Sequence, residues 1–168
     1  MVHSIELLFD PDTEAAIREI WDALAGAGIP SQAPASRPHV TLAVAERIDP
    51  AVDELLRPLA RRLPLKCAIG APVLFGRGSI VFARLVVPTS ELLALHGEVH
   101  RLSGPHLAPA AMPNSLPGHW TGHVTLARRV GGAQLGRAMR IGGNPSQLDG
   151  HFAGLRRWDG NKRIGYEL

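Results

Sequence analysis

The pentapeptide His-Val-Thr-Leu-Ala occurs twice in this sequence, at His39–Ala43 and again at His123–Ala127. The two copies lie half of the 168-residue chain apart, and we interpret them as an internal duplication. Each copy alternates polar and apolar side chains. In an extended strand His and Thr project from one face, and Val and Leu project from the other. Two such strands facing each other would bring two imidazoles and two hydroxyls into one cleft, whereas no role is assigned to the alanine.

The remainder of the chain predicts a similar series of elements around each copy. Predicted strands cover 2–9, 39–45, 65–75, 79–87, 121–128, 148–158 and 163–168, and predicted helices cover 15–27, 50–62, 90–102 and 131–141. Each half has a helix before its motif strand, a helix after it, and a hairpin. We therefore predict an α+β protein with a duplicated bilobal fold, in which two antiparallel sheets face each other across a central cleft with helices on the outside. A single domain spans 1–168, with pseudo-twofold halves at roughly 1–88 and 89–168.

Composition excludes several kinds of site. The one cysteine, Cys67, cannot form a disulfide within the chain or a multi-cysteine zinc site, and its position predicts a buried strand residue. The first residues have no signal-peptide pattern, and no apolar run approaches membrane-spanning length. We expect a cytoplasmic monomer with no protein partner. The net charge of +3 is compatible with a phosphate-bearing ligand, but it does not by itself indicate nucleic-acid binding.

The paired motif suits the cleavage of a phosphodiester. Imidazole titrates near neutral pH, so one histidine can act as a base while the other acts as an acid. In-line displacement places the attacking and leaving oxygens on opposite sides of phosphorus, which matches His39 and His123 on opposed strands. Thr41 and Thr125 can donate hydrogen bonds to the non-bridging oxygens. The residues themselves do not decide which histidine is the acid.

The chain resembles the two-histidine (2H) phosphoesterase superfamily, and within it the 2′-5′ RNA ligase / RNA 2′,3′-cyclic phosphodiesterase group. The segments that carry the resemblance are Pro38–Leu42 and His123–Arg128. The resemblance implies the bilobal fold and catalysis without a metal or cofactor. It further implies that His39 protonates the leaving ribose oxygen, that His123 activates water, and that Thr41 and Thr125 bind phosphate.

Three further residues are candidate substrate contacts. Arg128 lies where the second motif of the family often has an arginine, although strict alternation would turn it away from the His/Thr face unless a bulge or the strand end redirects it. Trp120 either stacks on a nucleobase or anchors the core. Arg156 could contact an RNA backbone. His96 and His100 have the i,i+4 spacing of metal ligands, but no third ligand is evident, and we predict no metal site.

We therefore predict an enzyme that opens a 2′,3′-cyclic phosphodiester at an RNA or nucleotide end to a 2′-phosphate, with weak 2′-5′ RNA ligation as a side activity. One alternative keeps the fold and changes the substrate to a 2′-5′ oligonucleotide or an ADP-ribose cyclic phosphate. The other alternative is a non-catalytic module that binds RNA or a nucleotide.

Overall fold

The computed structural model describes residues 1–32 and 35–168. The predicted long strands and helices are present in it, with ends that differ by a few residues. The strands are β1 (His3–Phe9), β2 (His39–Ala45), β3 (Arg47–Ile48), β4 (Leu65–Phe75), β5 (Ile80–Val86), β6 (Leu107–Ala108), β7 (His123–Val130), β8 (Leu148–Asp159) and β9 (Ile164–Glu167). The helices are α1 (Pro11–Gly26), α2 (Val52–Ala60), α3 (Ser90–Ser103) and α4 (Leu135–Gly142).

Seven of these strands form an antiparallel sheet in the order β2-β1-β8-β4-β5-β7, with β9 also paired to β8. The predicted α+β class and antiparallel pairing are confirmed. The two predicted sheets are joined into one path by β8, whose 12 residues pair with β1 and β9 over one part and with β4 over the other. The motif strands β2 and β7 occupy the two ends of this order and nevertheless contact each other. The sheet is therefore curved so that its two ends meet at the repeated sequence.

The helices pack in two pairs, α1 with α4 and α2 with α3. Helix α1 buries Ile17, Trp21 and Leu24, which lie on one face at helical spacing. It contacts β7, whereas α3 contacts β2. Each motif strand is thus covered by a helix from the other half of the sequence. None of the helices in the described residues is long and apolar enough to cross a membrane.

The prediction leaves the segment between α3 and β7 without structure, but the segment contains a short strand. Strand β6 pairs with β3, Arg47 opposite Ala108 and Ile48 opposite Leu107. Two-residue strands have no measurable periodicity, which is why the sequence pattern does not show them. This ribbon joins the end of β2 to the segment that follows α3.

Candidate active site

The two copies of the repeated pentapeptide have the same pattern of burial. In both strands the His and Thr side chains are half-buried. The side chains between them, Val40, Leu42, Val124 and Leu126, are at most 1% exposed. Each strand therefore presents His and Thr on one face and is anchored in the core by the other, as the alternation predicts.

A β-bulge interrupts both copies at the same position. Leu42 is an extra residue opposite β1, and Leu126 is an extra residue opposite β5. Bulges of this kind bend a strand and are frequent beside functional sites. The residue after each bulge is the alanine of the repeat, Ala43 or Ala127, and both alanines are completely buried. The alanine that ends the repeat, to which the sequence analysis assigns no role, therefore packs in the core behind each bulge.

The two catalytic candidates are held by equivalent hydrogen bonds. Nδ1 of His39 lies 2.8 Å from the carbonyl oxygen of Arg37, and Nδ1 of His123 lies 2.7 Å from that of Thr121. Because a carbonyl oxygen can only accept, each Nδ1 carries a proton and donates it. Nε2 is therefore the nitrogen of each ring that is left to exchange a proton with a ligand.

The imidazole of His39 lies beside a buried carboxylate. Nε2 of His39 is 3.6 Å from Oε1 of Glu6, a side chain of β1 that is 4% exposed. Oε1 also accepts a hydrogen bond of 2.5 Å from the Ser4 hydroxyl, and Oε2 accepts one of 2.7 Å from Nε of Arg156. The sequence analysis missed Glu6. Its signal is an acidic residue inside an apolar strand, because such a residue is buried only when it has partners.

His123 has a different environment. Its ring packs against Phe75, with the ring centroids 4.5 Å apart. Burial lowers the pKa of His123 below its ordinary value, and the positive charges of Arg128 and His39 act in the same direction, whereas the hydrogen bond to Thr121 opposes them. His123 is therefore neutral at neutral pH, and its Nε2 can accept a proton.

A cavity of about 660 Å³ opens beside His39. Of the four motif side chains, His39 and Thr41 line it, and in the described part of the chain His123 and Thr125 do not. The volume lies in the range of small-molecule sites, about 300–1,000 Å³. Space for the bulk of a ligand is therefore found on the His39 side of the histidine pair.

Arg128 lies in the lining of this cavity together with His39 and Thr41. The register of β7 shifts again between Ala127 and Val130, and Arg129 between them has a positive φ of 57°. This second irregularity breaks the strict alternation that would have turned Arg128 away from the His/Thr face. In the sequence analysis, a bulge or the strand end is required to redirect Arg128 toward the His/Thr face, and a bulge is present.

Arg156 also lines the cavity, but its Nε already donates to Glu6. Its guanidinium carbon lies 5.1 Å from the ring centroid of Trp158, which lines the cavity too. The neighbouring Arg157 faces the other side of the sheet, where its Nε and Nη2 form a two-point contact with Asp53 at 2.7 and 2.9 Å. The strand thus presents one arginine of the pair to the cavity and buries the other.

Trp120 lies against β2. Its indole N–H donates to the carbonyl oxygen of Thr41 at 2.9 Å, and its ring stacks on the buried His96 with centroids 4.1 Å apart. A Cβ at Gly122 would come within 2.8 Å of the same indole, so the glycine makes room for the ring. Within residues 1–32 and 35–168, Trp120 is not part of the cavity lining.

The helical pair His96 and His100 is engaged by the backbone of β2. Nε2 of His96 and Nε2 of His100 lie 3.1 and 2.9 Å from the carbonyl oxygen of Leu42. In the described chain, no group of three or more His, Cys, Asp or Glu side chains is arranged to hold a metal ion. The spacing of the two histidines is accounted for by their contact with one strand carbonyl.

A second cavity, of about 610 Å³, lies at the N-terminus of α1, away from the histidine pair. Cys67 lines it and is 6% exposed. Burial raises the pKa of the Cys67 thiol to about 12, with smaller contributions from the charges of Asp10 and Asp149. The thiol is therefore protonated and unreactive. The prediction of a buried cysteine in a strand is confirmed.

The curved antiparallel sheet and the paired histidine motif define a phosphoesterase fold of the two-histidine type. A family model for the 2′-5′ RNA ligase superfamily matches residues 9–146. The chain belongs to this superfamily. A comparison with curated protein sequences found no match.

Several solved structures share the fold at low identity. LigT from E. coli in its apo form is 12% identical, with a TM-score of 0.58 over 99% of this chain and 94% of that one. The MHV ns2 PDE domain is 14% identical, with a TM-score of 0.56 over 99% and 98%. Kluyveromyces marxianus Usb1 with uridine monophosphate is 12% identical, with a TM-score of 0.53 over 99% and 98%. The structural likeness concerns the fold, and superfamily membership supports an activity of the phosphodiesterase type.

Proposed function

We propose that this protein is a metal-independent phosphodiesterase that opens a 2′,3′-cyclic phosphate at an RNA or nucleotide end and leaves a 2′-phosphate. The observation that carries the proposal is the pair His39 and His123. Both rings are fixed through Nδ1 to a backbone carbonyl, and both have Nε2 left for proton transfer. Their surroundings differ, as the separate tasks of an acid and a base require.

The reaction needs one proton acceptor and one proton donor. Nε2 of His123, neutral because of burial, removes a proton from water while the water oxygen attacks phosphorus. The bond between phosphorus and O3′ breaks, and Nε2 of His39 gives its proton to O3′. The products are a 2′-phosphate and a 3′-hydroxyl. When the 5′-hydroxyl of another strand attacks in place of water, the same bond to O3′ breaks and the two ends are joined through a 2′-5′ linkage, as a weak side reaction.

The position of the cavity supports this division of roles. In an in-line displacement the leaving O3′ remains attached to the ribose, so the ribose and everything bound to it lie on the side of the acid. The attacking group on the opposite side is only water. The cavity lies on the side of His39, whereas His123 packs against Phe75. His39 is therefore assigned as the acid and His123 as the base.

Thr41 and Thr125 are assigned to the non-bridging oxygens of the scissile phosphate, with Arg128 as an added positive charge. Hydroxyl and guanidinium donors stabilise the charge on these oxygens where water is excluded. Arg156 contributes indirectly, because its Nε donates to Glu6 and holds that carboxylate beside His39. We leave Trp120 out of the substrate contacts because its N–H and one face of its ring are already occupied.

The test is hydrolysis of adenosine 2′,3′-cyclic phosphate in the presence of EDTA. We expect formation of adenosine 2′-phosphate, a bell-shaped dependence of kcat/KM on pH, and a loss of about 10²–10⁴-fold in kcat in both His39→Ala and His123→Ala. His151→Ala removes an exposed histidine on β8 and serves as the matched control, with activity retained. If both motif variants turn over like the parent protein, the two-histidine mechanism is wrong. Binding without turnover would indicate a nucleotide-binding module.

A further inference from the structure

We infer that the cavity beside His39 binds a second phosphate group, so that the substrate is a nucleotide or oligonucleotide with a phosphate on the 5′ side of the cyclic phosphate. This inference rests on the proposed function and names the substrate class for the same site. Three features of the cavity support it: its charge, the backbone conformation near two of its arginines, and the direction in which it extends.

The cavity has an excess of positive charge. Four arginines and one carboxylate, that of Glu6, contribute to its lining. Arg37 is paired with Glu14 and Glu167, and Arg156 is paired with Glu6. Within residues 1–32 and 35–168, no carboxylate lies within ion-pair distance of the other two, Arg128 and Arg163. Two uncompensated guanidinium groups in one concave surface favour a ligand that carries more than one negative charge, because the planar fork of arginine matches phosphate oxygens.

The two uncompensated arginines come from distant parts of the sheet and lie beside irregular backbone. Arg163 is in the turn between β8 and β9 and has a φ of 57°, a left-handed conformation that costs free energy for a residue with a side chain. Arg128 precedes Arg129, which has the same φ. Glycine or asparagine would adopt this conformation more easily. In the β8–β9 turn, Arg163 combines this conformation with a place in the cavity lining.

The cavity extends away from the scissile position. Its lining runs from Glu6 of β1, which pairs with Thr41, back to Val2 and Met1 before the start of β1. At about 3.3 Å per residue, the distance from Glu6 to Val2 is about 13 Å. The ribose and base of the substrate occupy the part of this length nearest His39, and a phosphate on the 5′ side of the ribose would extend along the rest. Gly160 of the β8–β9 turn packs against Val2 at this end, and Arg163 belongs to the same turn.

A comparison of three substrates tests the inference with the full chain. The substrates are adenosine 2′,3′-cyclic phosphate, the same nucleoside with an added 5′-phosphate, and a dinucleotide ending in the cyclic phosphate. We expect kcat/KM to be about tenfold higher for the two that carry a second phosphate, as a charged hydrogen bond of ordinary strength would produce. Preference for the monoester or for the dinucleotide then identifies the source of the second phosphate. Equal kcat/KM for all three substrates would overturn the inference and leave the proposed function intact.

In Arg163→Gln, the ratio of kcat/KM with a second phosphate to kcat/KM without it should fall close to one, because the substitution removes the charge and keeps most of the side-chain length. Arg129→Gln is the matched control: this arginine is exposed, has the same φ of 57°, and is outside the cavity lining in the described chain. The control should keep the preference of the parent protein. A preference that survives Arg163→Gln, or that is lost equally in Arg129→Gln, would contradict the assignment of the subsite.

Equilibrium binding separates this inference from the catalytic proposal. Adenosine 2′,5′-bisphosphate should bind about tenfold more tightly than adenosine 2′-phosphate, and the difference should shrink in Arg163→Gln and at high salt. This measurement does not require turnover, so it supports or overturns the second-phosphate subsite even if none of the cyclic phosphates is hydrolysed. Equal affinities for the two ligands at low salt would overturn it.

Discussion

At the scale of single residues, identical motifs have acquired different surroundings. His39 and His123 make the same hydrogen bond through Nδ1, yet one faces the carboxylate of Glu6 and the other packs against Phe75. Neither neighbour is close to its histidine in the sequence. The difference between a candidate acid and a candidate base therefore arises from the strands that flank the motif and not from the motif itself.

Glu6 provides a prediction at this scale. Its carboxylate and Arg156 are 4% and 11% exposed, so Glu6→Gln leaves a nearly buried guanidinium without its counter-charge. We expect the free energy of unfolding to fall by about 3 kcal/mol or more, measured by urea denaturation. Glu54→Gln is the control, because Glu54 pairs with Arg57 on an exposed helix face and should cost less than about 1 kcal/mol. Equal losses in the two variants would show that Glu6 is not a buried ion-pair partner.

At the scale of elements, the bulge in β2 explains the histidines of α3. The bulge makes Leu42 an extra residue, and its carbonyl oxygen accepts from Nε2 of both His96 and His100. Side chains four residues apart on a helix face the same neighbour. The i,i+4 spacing of His96 and His100, which resembles that of metal ligands, thus lets both side chains anchor α3 to β2, the strand that carries His39. In β7 the corresponding carbonyl of Leu126 accepts, at 3.4 Å, from Ser31.

The burial of His96 predicts a dependence of stability on pH. Burial, and then the charge of His100, lowers the pKa of His96 from its ordinary value of 6.5. Just below pH 6.5 the unfolded chain therefore binds more protons than the folded protein, and stability rises with pH until it levels off above that value. His96→Gln keeps a donor for the Leu42 carbonyl and removes the titration. Between about pH 5 and 6.5, the slope of its unfolding free energy against pH should be smaller than that of the parent protein. The difference between the two slopes should be at most about 1.4 kcal/mol per pH unit. The same slope in parent and variant would contradict this.

At the scale of the whole molecule, the two halves of the sequence depend on each other. Trp21 of the first half donates its indole N–H to the carbonyl of Thr125 at 3.1 Å, and Trp120 of the second half donates to that of Thr41. Strand β8, from the second half, pairs with both β1 and β4. Each motif strand is therefore held in place by the opposite half.

Because each half depends on contacts from the other, we can predict how fragments of the chain behave. Residues 1–88 alone lack β8, which leaves β1–β2 and β4–β5 as separate two-stranded pairs, and such pairs are at best marginally stable in water. We expect the 1–88 fragment to show no cooperative thermal unfolding by circular dichroism, and we expect a mixture with 89–168 to regain part of the signal. A sharp unfolding transition of the fragment alone would show that the half is an independent unit.

Much of the fold was predictable because its signals are local. Strand alternation at the motif, the start of α3 at Thr89, whose hydroxyl accepts from the amide of Leu92, and the hairpin at Gly76 depend on a few adjacent residues. The two-residue strands β3 and β6 were not predictable, since their pairing depends on residues that are far apart in the chain. The contact of Glu6 with His39 was missed for the same reason.

The sequence by itself determined the paired His and Thr side chains, the faces on which they lie and the antiparallel α+β class. These follow from periodicities of two and 3.6 residues, which short segments carry. Only the tertiary structure decided that the cavity lies beside His39, that Glu6 contacts this histidine, that His123 packs against Phe75, and that Arg128 and Arg163 line the cavity without a carboxylate partner in the described chain. Register, bulges and the curvature of the sheet set these relations, because they depend on which distant strands pair.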